Sequence, residues 1–536
     1  MRVHAWQVAL CLLFSFSVYA RPLETLIDSS RETVLEVASG RLKQSPALRE
    51  GKRYTQIRLK GFEHKSEPGA PEIPYLTARV LIPPGMDFQY TVEELARPKR
   101  LSLRNEIAFA QKLPVHATDR FASREVKAYE RTYGESTVEV EEIGYAASDK
   151  IAFLKIWPVR YDPMNAALIV RPKFRIHVAF VPDRSEGRAP ISDTRNSLAR
   201  YIVVNPKRAP KRQNNSRVDL LIAHKGYQLD LFRWIEFKLS RGRKVREYYV
   251  EGKSAQEIKQ IIQTEYQSAE PPTETILVGN PALIPSFHGS GENYWTDYDY
   301  QLLGNDSIPD IALGRVPAAN SEELRNFIDK AIAREVEPRD VRQILLTAGE
   351  DTSFGCPQNV TKVGENVKAQ ASDVVLTKRY RTDVGTSEVI AGYNANPNLI
   401  VYDGHGDREG MQEIPLTLSS LNKLINSAFP IIFDIACLNA NWSSSANWVN
   451  FTTGVLFQSV HGAAGIMSSG GSGDGHKFFR DIGDIMGKAR KNLANDTKMN
   501  EVAQVILAAK ILNGQQDRAF WNYYGDPASS VWEASY

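Results

Sequence analysis

The sequence predicts a chain of two parts: an all-β sandwich of antiparallel strands, then an α/β unit on a mostly parallel sheet with helices on both faces. Three observations predict it. The 536 residues exceed what one hydrophobic core organises. Runs at 54–59, 76–81, 138–143, 154–158 and 169–180 are short and rich in β-branched or aromatic residues. Turns such as Pro68-Gly69-Ala70-Pro71 and Pro83-Pro84-Gly85 separate them, with no long helical pattern between. Beyond residue 218, apolar runs recur at 218–223, 275–278, 344–348, 399–402, 431–436 and 464–467 with helical segments between several of them, the signature of strands buried on both faces.

Residues 1–20 read as a secretory leader. Met1-Arg2 supplies the positive start, residues 8–18 an apolar run too short for a membrane anchor, and Val18-Tyr19-Ala20 small residues at −3 and −1. Cys11 lies inside that run behind Leu10, which disfavours a lipoprotein site. No later stretch reaches eighteen apolar residues, so no stable membrane span is expected. The formal charge of +3 is small for this length and points to no nucleic acid and no anionic membrane surface. The expected location is extracellular or periplasmic.

Residues 21–204 form the predicted β part and carry no evident chemistry. Residues 205–217 (NPKRAPKRQNNSR) are polar, basic and proline-containing, a linker and a candidate proteolytic site. Residues 218–536 form the α/β part. Ser254 with Glu257 predicts a capping box opening a helix through Tyr266, and Asn320 with Glu323 caps another through Glu335.

Open α/β sheets place their functional crevice at the carboxyl ends of the strands. Those ends carry His224, Asn280, Glu350, Asp403-Gly404-His405-Gly406, Cys437 and Ser468-Ser469-Gly470. A thiol, an imidazole and a carboxylate from separate strand ends make up the set that thiol catalysis needs. His405 would take the proton of Cys437 and hold its thiolate. The backbone N–H groups of Gly406 and Cys437 would form an oxyanion hole, and Glu350 would orient the imidazole. Other uses stay open at this level. After leader removal, Cys356 and Cys437 could form one disulfide, and most of the nine histidines are structural in any such chain. His288-Gly289 follows no apolar strand, and His461 opens a Gly/Ala-rich segment. No His-x-x-x-His or CxxC spacing exists, so no metal and no catalytic cofactor is expected.

The strings Leu399-Ile-Val-Tyr-Asp-Gly-His-Gly406 and Pro430-Ile-Ile-Phe-Asp-Ile-Ala-Cys-Leu-Asn439 resemble the catalytic segments of the gingipain family, peptidase family C25. There a GHG histidine precedes an AC-x-N cysteine by about thirty residues, and here the separation is 437 − 405 = 32. Thr275-Ile-Leu-Val-Gly-Asn280, Pro309-Asp-Ile-Ala-Leu-Gly-Arg315 and Tyr524-Gly-Asp-Pro527 are similar to further family segments. Gly69-Ala-Pro-Glu-Ile-Pro74 and Ile156-Trp-Pro-Val-Arg-Tyr-Asp-Pro163 resemble its pro-domain signatures.

The resemblance implies a caspase-like catalytic domain behind a β-sandwich pro-domain that inhibits until cleaved, and so a secreted cysteine endopeptidase zymogen acting on protein or peptide. It assigns the third catalytic role to Glu350, through Thr347-Ala-Gly-Glu350, with Asp351 as its neighbour. Structural calcium is implied for the family without assignment to residues here. The stretch 355–362 holds no acid where members that cut after Arg or Lys carry one. Met411 stands near an expected tryptophan, and the 468–476 loop is glycine-rich. Strict Arg/Lys specificity is therefore not implied. The C-terminal modules of longer members are not expected after Gly525-Asp-Pro. A transpeptidase of the same family and an inactive secreted binding protein are the alternatives.

Overall fold

The computed structural model describes residues 22–532 except 50, 65–68, 111–131, 147–148, 184–197, 209–216, 290–293, 305, 351–354, 415, 443–448, 459–460, 472–474, 495 and 514–518. The leader and most of the basic linker lie outside the described residues.

Described residues 22–183 form strands alone. Leu23–Asp28, Glu32–Ala38, Lys173–Pro182 and Met86–Glu94 make a four-stranded sheet in that order. Leu76–Leu81, Asp149–Ile156 and Val138–Ala146 make a second, and every strand pair in both is antiparallel. Val37, Phe174 and Ile176 of the first sheet share one buried cluster with Val80, Leu154 and Ile156 of the second. The run 169–180 was expected to be one strand and is two, Ala167–Val170 and Lys173–Pro182. Pro172 separates them, having no N–H to give a ladder.

Asn205, counted with the linker, is fully buried in this β region. It accepts from Leu81 N (2.9 Å) and donates to Leu81 O (3.0 Å) and Thr33 Oγ1 (3.2 Å).

The second part is built on one ten-stranded sheet. Its strands are β1 (Val218–His224), β2 (Lys244–Val250), β3 (Glu274–Val278), β4 (Ala312–Val316), β5 (Gln343–Ala348), β6 (Val375–Tyr380), β7 (Leu399–Asp403), β8 (Ile431–Ile435), β9 (Gly465–Ser469) and β10 (Trp521–Gly525). Their order across the sheet is β2-β1-β3-β4-β10-β9-β8-β7-β5-β6. Seven neighbouring pairs run parallel over three or more residues, and β4 pairs with β10 in a single parallel bridge. β10 is antiparallel to β9 and meets β4 only at Arg315 and Tyr524.

Helices cover both faces. In β7, Leu399 and Val401 join the core beneath Cys356–Gln370 (α1), His476–Asn492 (α2) and Val502–Leu512 (α3). Ile400 and Tyr402 join the opposite core with Trp234, Phe327 and Tyr393. This period of two, with both sets buried, is why the strands read as continuous apolar runs. The expected caps form. Ser254 Oγ accepts from Glu257 N, and Glu257 Oε2 accepts from Ser254 N. Asn320 accepts from Glu323 N (3.0 Å), while Glu323 turns back to Ala319 N (2.7 Å).

The tips of the two halves lie on one edge. Arg315 joins Gly279 O, just past β3, to the Asp297 carboxylate, and Asp297 N donates to Asn522 Oδ1 (3.1 Å). A Cβ on Gly470, just past β9, would lie 2.9 Å from Trp295 O.

Candidate active site

Strand register brings the site together. Ala348 of β5 is level with Asp403 of β7, and Asp403 with Ile435 of β8. Glu350, His405 and Cys437 each follow two residues past the ends of these three adjacent parallel strands. Adjacent strands lie about 4.8 Å apart. The spacing of 32 between histidine and cysteine in the chain is the offset of this register, 435 − 403 = 32. Pairing persists past the tips: Gly349 N donates to Asp403 O (2.9 Å) and Gly404 N to Ile435 O (3.4 Å).

His405 is buried, while Cys437 is partly exposed. The loops that carry them touch. A Cβ on Gly406 would lie 2.5 Å from Asn439 Oδ1 and 2.7 Å from Ala436 Cβ, so only glycine lets this turn close on the Cys437 segment. Leu438, directly after the cysteine, has φ +63°, a left-handed conformation that a leucine holds at a cost of about 1–3 kcal/mol. Its N–H donates to Gly471 O (3.2 Å), and Ala440 N to Ser469 O (3.0 Å), clamping the turn against the tip of β9.

Beneath the turn lies a buried carboxyl. Asp434 Oδ2 accepts from Asn439 Nδ2 (2.9 Å) and Ser468 Oγ (2.7 Å). Burial pushes the Asp434 carboxyl up to about 7, against the lowering effect of those two donors. The turn carrying His405 is held from the other side. Glu413 Oε2 accepts from His405 N (2.9 Å), and His405 O accepts from Tyr402 OH (2.9 Å) and Gln412 N (3.1 Å). A Cβ on Gly404 would come within 2.7 Å of Glu413 Oε2, and one on Gly349 would overlap that carboxylate.

Glu350 follows two residues past β5, and its exposed carboxylate is engaged by Arg381 (2.6 Å). Arg381 also donates to Glu413 O (3.3 Å), so it ties this tip to the Glu413 turn. Asp351 lies outside the described residues. His224 and Asn280 share the edge but not the site, since β4, β10 and β9 separate β3 from β8. His224 Nδ1 accepts from Gly226 N (3.2 Å) and Asn280 Oδ1 from Ala282 N (3.1 Å), so both close turns. His461 bonds Asn426 O (2.9 Å). Cys356 and Cys437 are not joined in a disulfide, so that alternative does not hold.

Sequence reasoning gave no role to Asp434, Glu413, Tyr402 or the strained Leu438. Asp434 had a signal, being a carboxylate inside an apolar run. Glu413 had none, because its partner is a backbone N–H.

Residues 213–532 match the model of peptidase family C25. Gingipain R2 of Porphyromonas gingivalis is 26% identical over 312 residues, covering 53% of this chain and 42% of that protein. Lys-gingipain W83 of the same organism is 23% identical over 415 residues, 70% of this chain and 23% of that protein. The chain thus spans less than half the length of these relatives.

Among solved structures, the Arg-specific cysteine proteinase gingipain R shares the fold with a TM-score of 0.53 at 20% identity, over 60% of this chain and 80% of that one. The complex of the pro- and mature domains of Porphyromonas gingivalis RgpB gives 0.51 at 20% identity, over 59% and 81%. Family model and fold together define the class, a peptidase-family member on an α/β fold. The chain belongs to peptidase family C25.

Proposed function

We propose that this chain is a secreted cysteine endopeptidase made as a zymogen, with Cys437 as nucleophile, His405 as acid and base, and Glu350 as the residue that orients the imidazole. The observation that carries this reading is the register Ala348–Asp403–Ile435 at three neighbouring strand ends, two residues before 350, 405 and 437. His405 takes the thiol proton, and the thiolate attacks the peptide carbonyl carbon. The oxyanion of the tetrahedral intermediate accepts from the N–H groups of Gly406 and Cys437. His405 then protonates the leaving amine. A water molecule deprotonated by His405 cleaves the acyl-thioester, releasing the carboxylic product and restoring the thiol. Orientation of the imidazole by Glu350 requires its carboxylate to leave Arg381, a short swing for an exposed side chain.

The N-terminal β region acts in this reading as the chain's own inhibitor, removed by cleavage within 205–217. Two things support it. A solved complex of pro- and mature domains exists for the related RgpB. The β region also reaches the catalytic edge, where Glu63 stands 4.0 Å from Lys477 and Arg79 donates to Leu512 O. The leader reading of residues 1–20 supports export, and no helix among the described residues is long and apolar enough to cross a membrane.

Substrate preference departs from Arg or Lys. The stretch 355–362, acid-free, forms the start of α1, and Thr361 there bonds Tyr380 OH (2.8 Å). The test is hydrolysis of a mixed peptide library by the cleaved chain and by Cys437→Ala. Loss of all cleavage in the variant is expected, with no Arg/Lys enrichment before the cut in the parent. Persisting hydrolysis in the variant would remove Cys437 from the role.

A further inference from the structure

A second cluster of chemistry-bearing side chains lies outside the proposed catalytic row. Cys356 is the first residue of α1, His476 the first of α2, and Asp403 the last of β7. Their Sγ, imidazole nitrogen and carboxylate oxygen all lie within 4.8 Å of one another. His476 Nε2 stands 3.3 Å from Asp403 Oδ2. Cys356 and Asp403 are buried, and the His476 side chain keeps 24% of its surface exposed.

We propose that Cys356, Asp403 and His476 form a binding site for one zinc-class divalent cation. The donor set is that of zinc: one sulfur, one imidazole nitrogen and one carboxylate oxygen, with a fourth position left for water. Around a four-coordinate zinc with bonds of about 2.0–2.3 Å, ligand atoms lie about 3.3–3.8 Å apart. The Asp403–His476 pair is already at that separation, and small side-chain rotations bring in the thiol.

The surroundings are built for it. Asn359 Nδ2 donates to Asp403 Oδ2 (2.7 Å), and Arg480 Nη1 donates to Asn359 Oδ1 (3.0 Å), which fixes the amide so that its N–H side faces the carboxylate. Such outer contacts hold a carboxylate ligand in place. Cys356 sits at a helix N-terminus, where the backbone N–H groups favour the thiolate form that binds metal. On binding, the thiol releases its proton to solvent and the cation takes its place. The exposed edge of His476 is the way in.

The cation would join the starts of two helices to the strand end that leads into His405, two residues on. The site concerns Cys356 and not the catalytic thiol, so it stands or falls apart from the proposed catalytic roles.

Cobalt(II) is the probe, titrated into the full chain carrying Cys437→Ala so that the catalytic thiol contributes nothing. The result expected is one equivalent bound, with a thiolate-to-cobalt charge-transfer band. Adding Cys356→Ser abolishes the band. Adding His476→Gln weakens binding, read by equilibrium dialysis, about ten- to 100-fold. Circular dichroism confirms that each variant is folded. Should Cys356→Ser not fold, the partly exposed His476→Gln decides alone. A folded Cys437→Ala chain that shows no band at stoichiometric cobalt overturns the proposal, as does a band that survives Cys356→Ser or affinity unchanged by His476→Gln.

Discussion

At the scale of single residues, the site rests on a few side chains with unequal visibility in the sequence. The spacing of 32 between His405 and Cys437 is the register offset of β8 on β7, so this one-dimensional pattern reports a strand alignment directly. Asp434 carries a testable consequence. The folded chain keeps a proton on this buried carboxyl up to about pH 7, whereas an ordinary aspartate has released it above 3.8. Between those values folding takes up a proton, so this group's contribution to stability is greatest at low pH and falls as pH rises, levelling above about 7. The slope is at most about 1.4 kcal/mol per pH unit. Asp434→Asn should remove that slope, measured by urea unfolding from pH 4 to 8. By contrast, the group of Cys356, Asp403 and His476 was illegible. Its members lie 403 − 356 = 47 and 476 − 403 = 73 residues apart, on two helices and a strand, and no local spacing encodes them.

Among elements, buried strands were readable and edge strands were not. β7 and β8 show nearly continuous apolar runs because both faces are covered. β2 and β6, at the two edges of the sheet, are largely half-exposed or exposed along their length, and their sequences KVREYYV and VLTKRY lack that signal. The short turns that aim the proposed catalytic residues depend on tertiary contacts. The turn after β7 is one such case, held by Glu413 through the N–H of His405. Glu413→Ala frees that N–H and opens space beside Gly349 and Gly404. The expected result is a fall in kcat of up to about 100-fold with KM little changed, and recovery in Glu413→Gln, whose amide oxygen can still accept. Equal loss in Glu413→Gln would show that the carboxylate's charge, not its positioning bond, matters.

For the whole molecule, the shift in pattern near residue 218 carries no sign of how deeply the two parts are in contact. Leu81, Ile151, Phe153 and Tyr201 of the β region enter one buried cluster with Ile308, Val505 and Met499. Tyr145 N donates to Asp306 Oδ2 (3.1 Å), and Ser307 Oγ to Glu142 Oε1. Alternation along a strand tells which residues are buried, but not which surface buries them. A single cut within 209–216 leaves these contacts intact. The nicked fragments should therefore co-elute in gel filtration and show low activity until the N-terminal piece is displaced or degraded. Immediate separation after the first cut would contradict tight inhibitory docking.

The claim beneath all of this is that neighbouring strand tips hand the sulfur of Cys437 a proton acceptor, the imidazole of His405. Alkylation of Cys437 by iodoacetamide, mapped by mass spectrometry across pH in the cleaved chain, measures it. A rate that stays high well below the ordinary thiol pKa of about 8.5, and collapses in His405→Ala, is the predicted result. A rate that rises only with ordinary thiol ionisation, and is the same in both proteins, would contradict it.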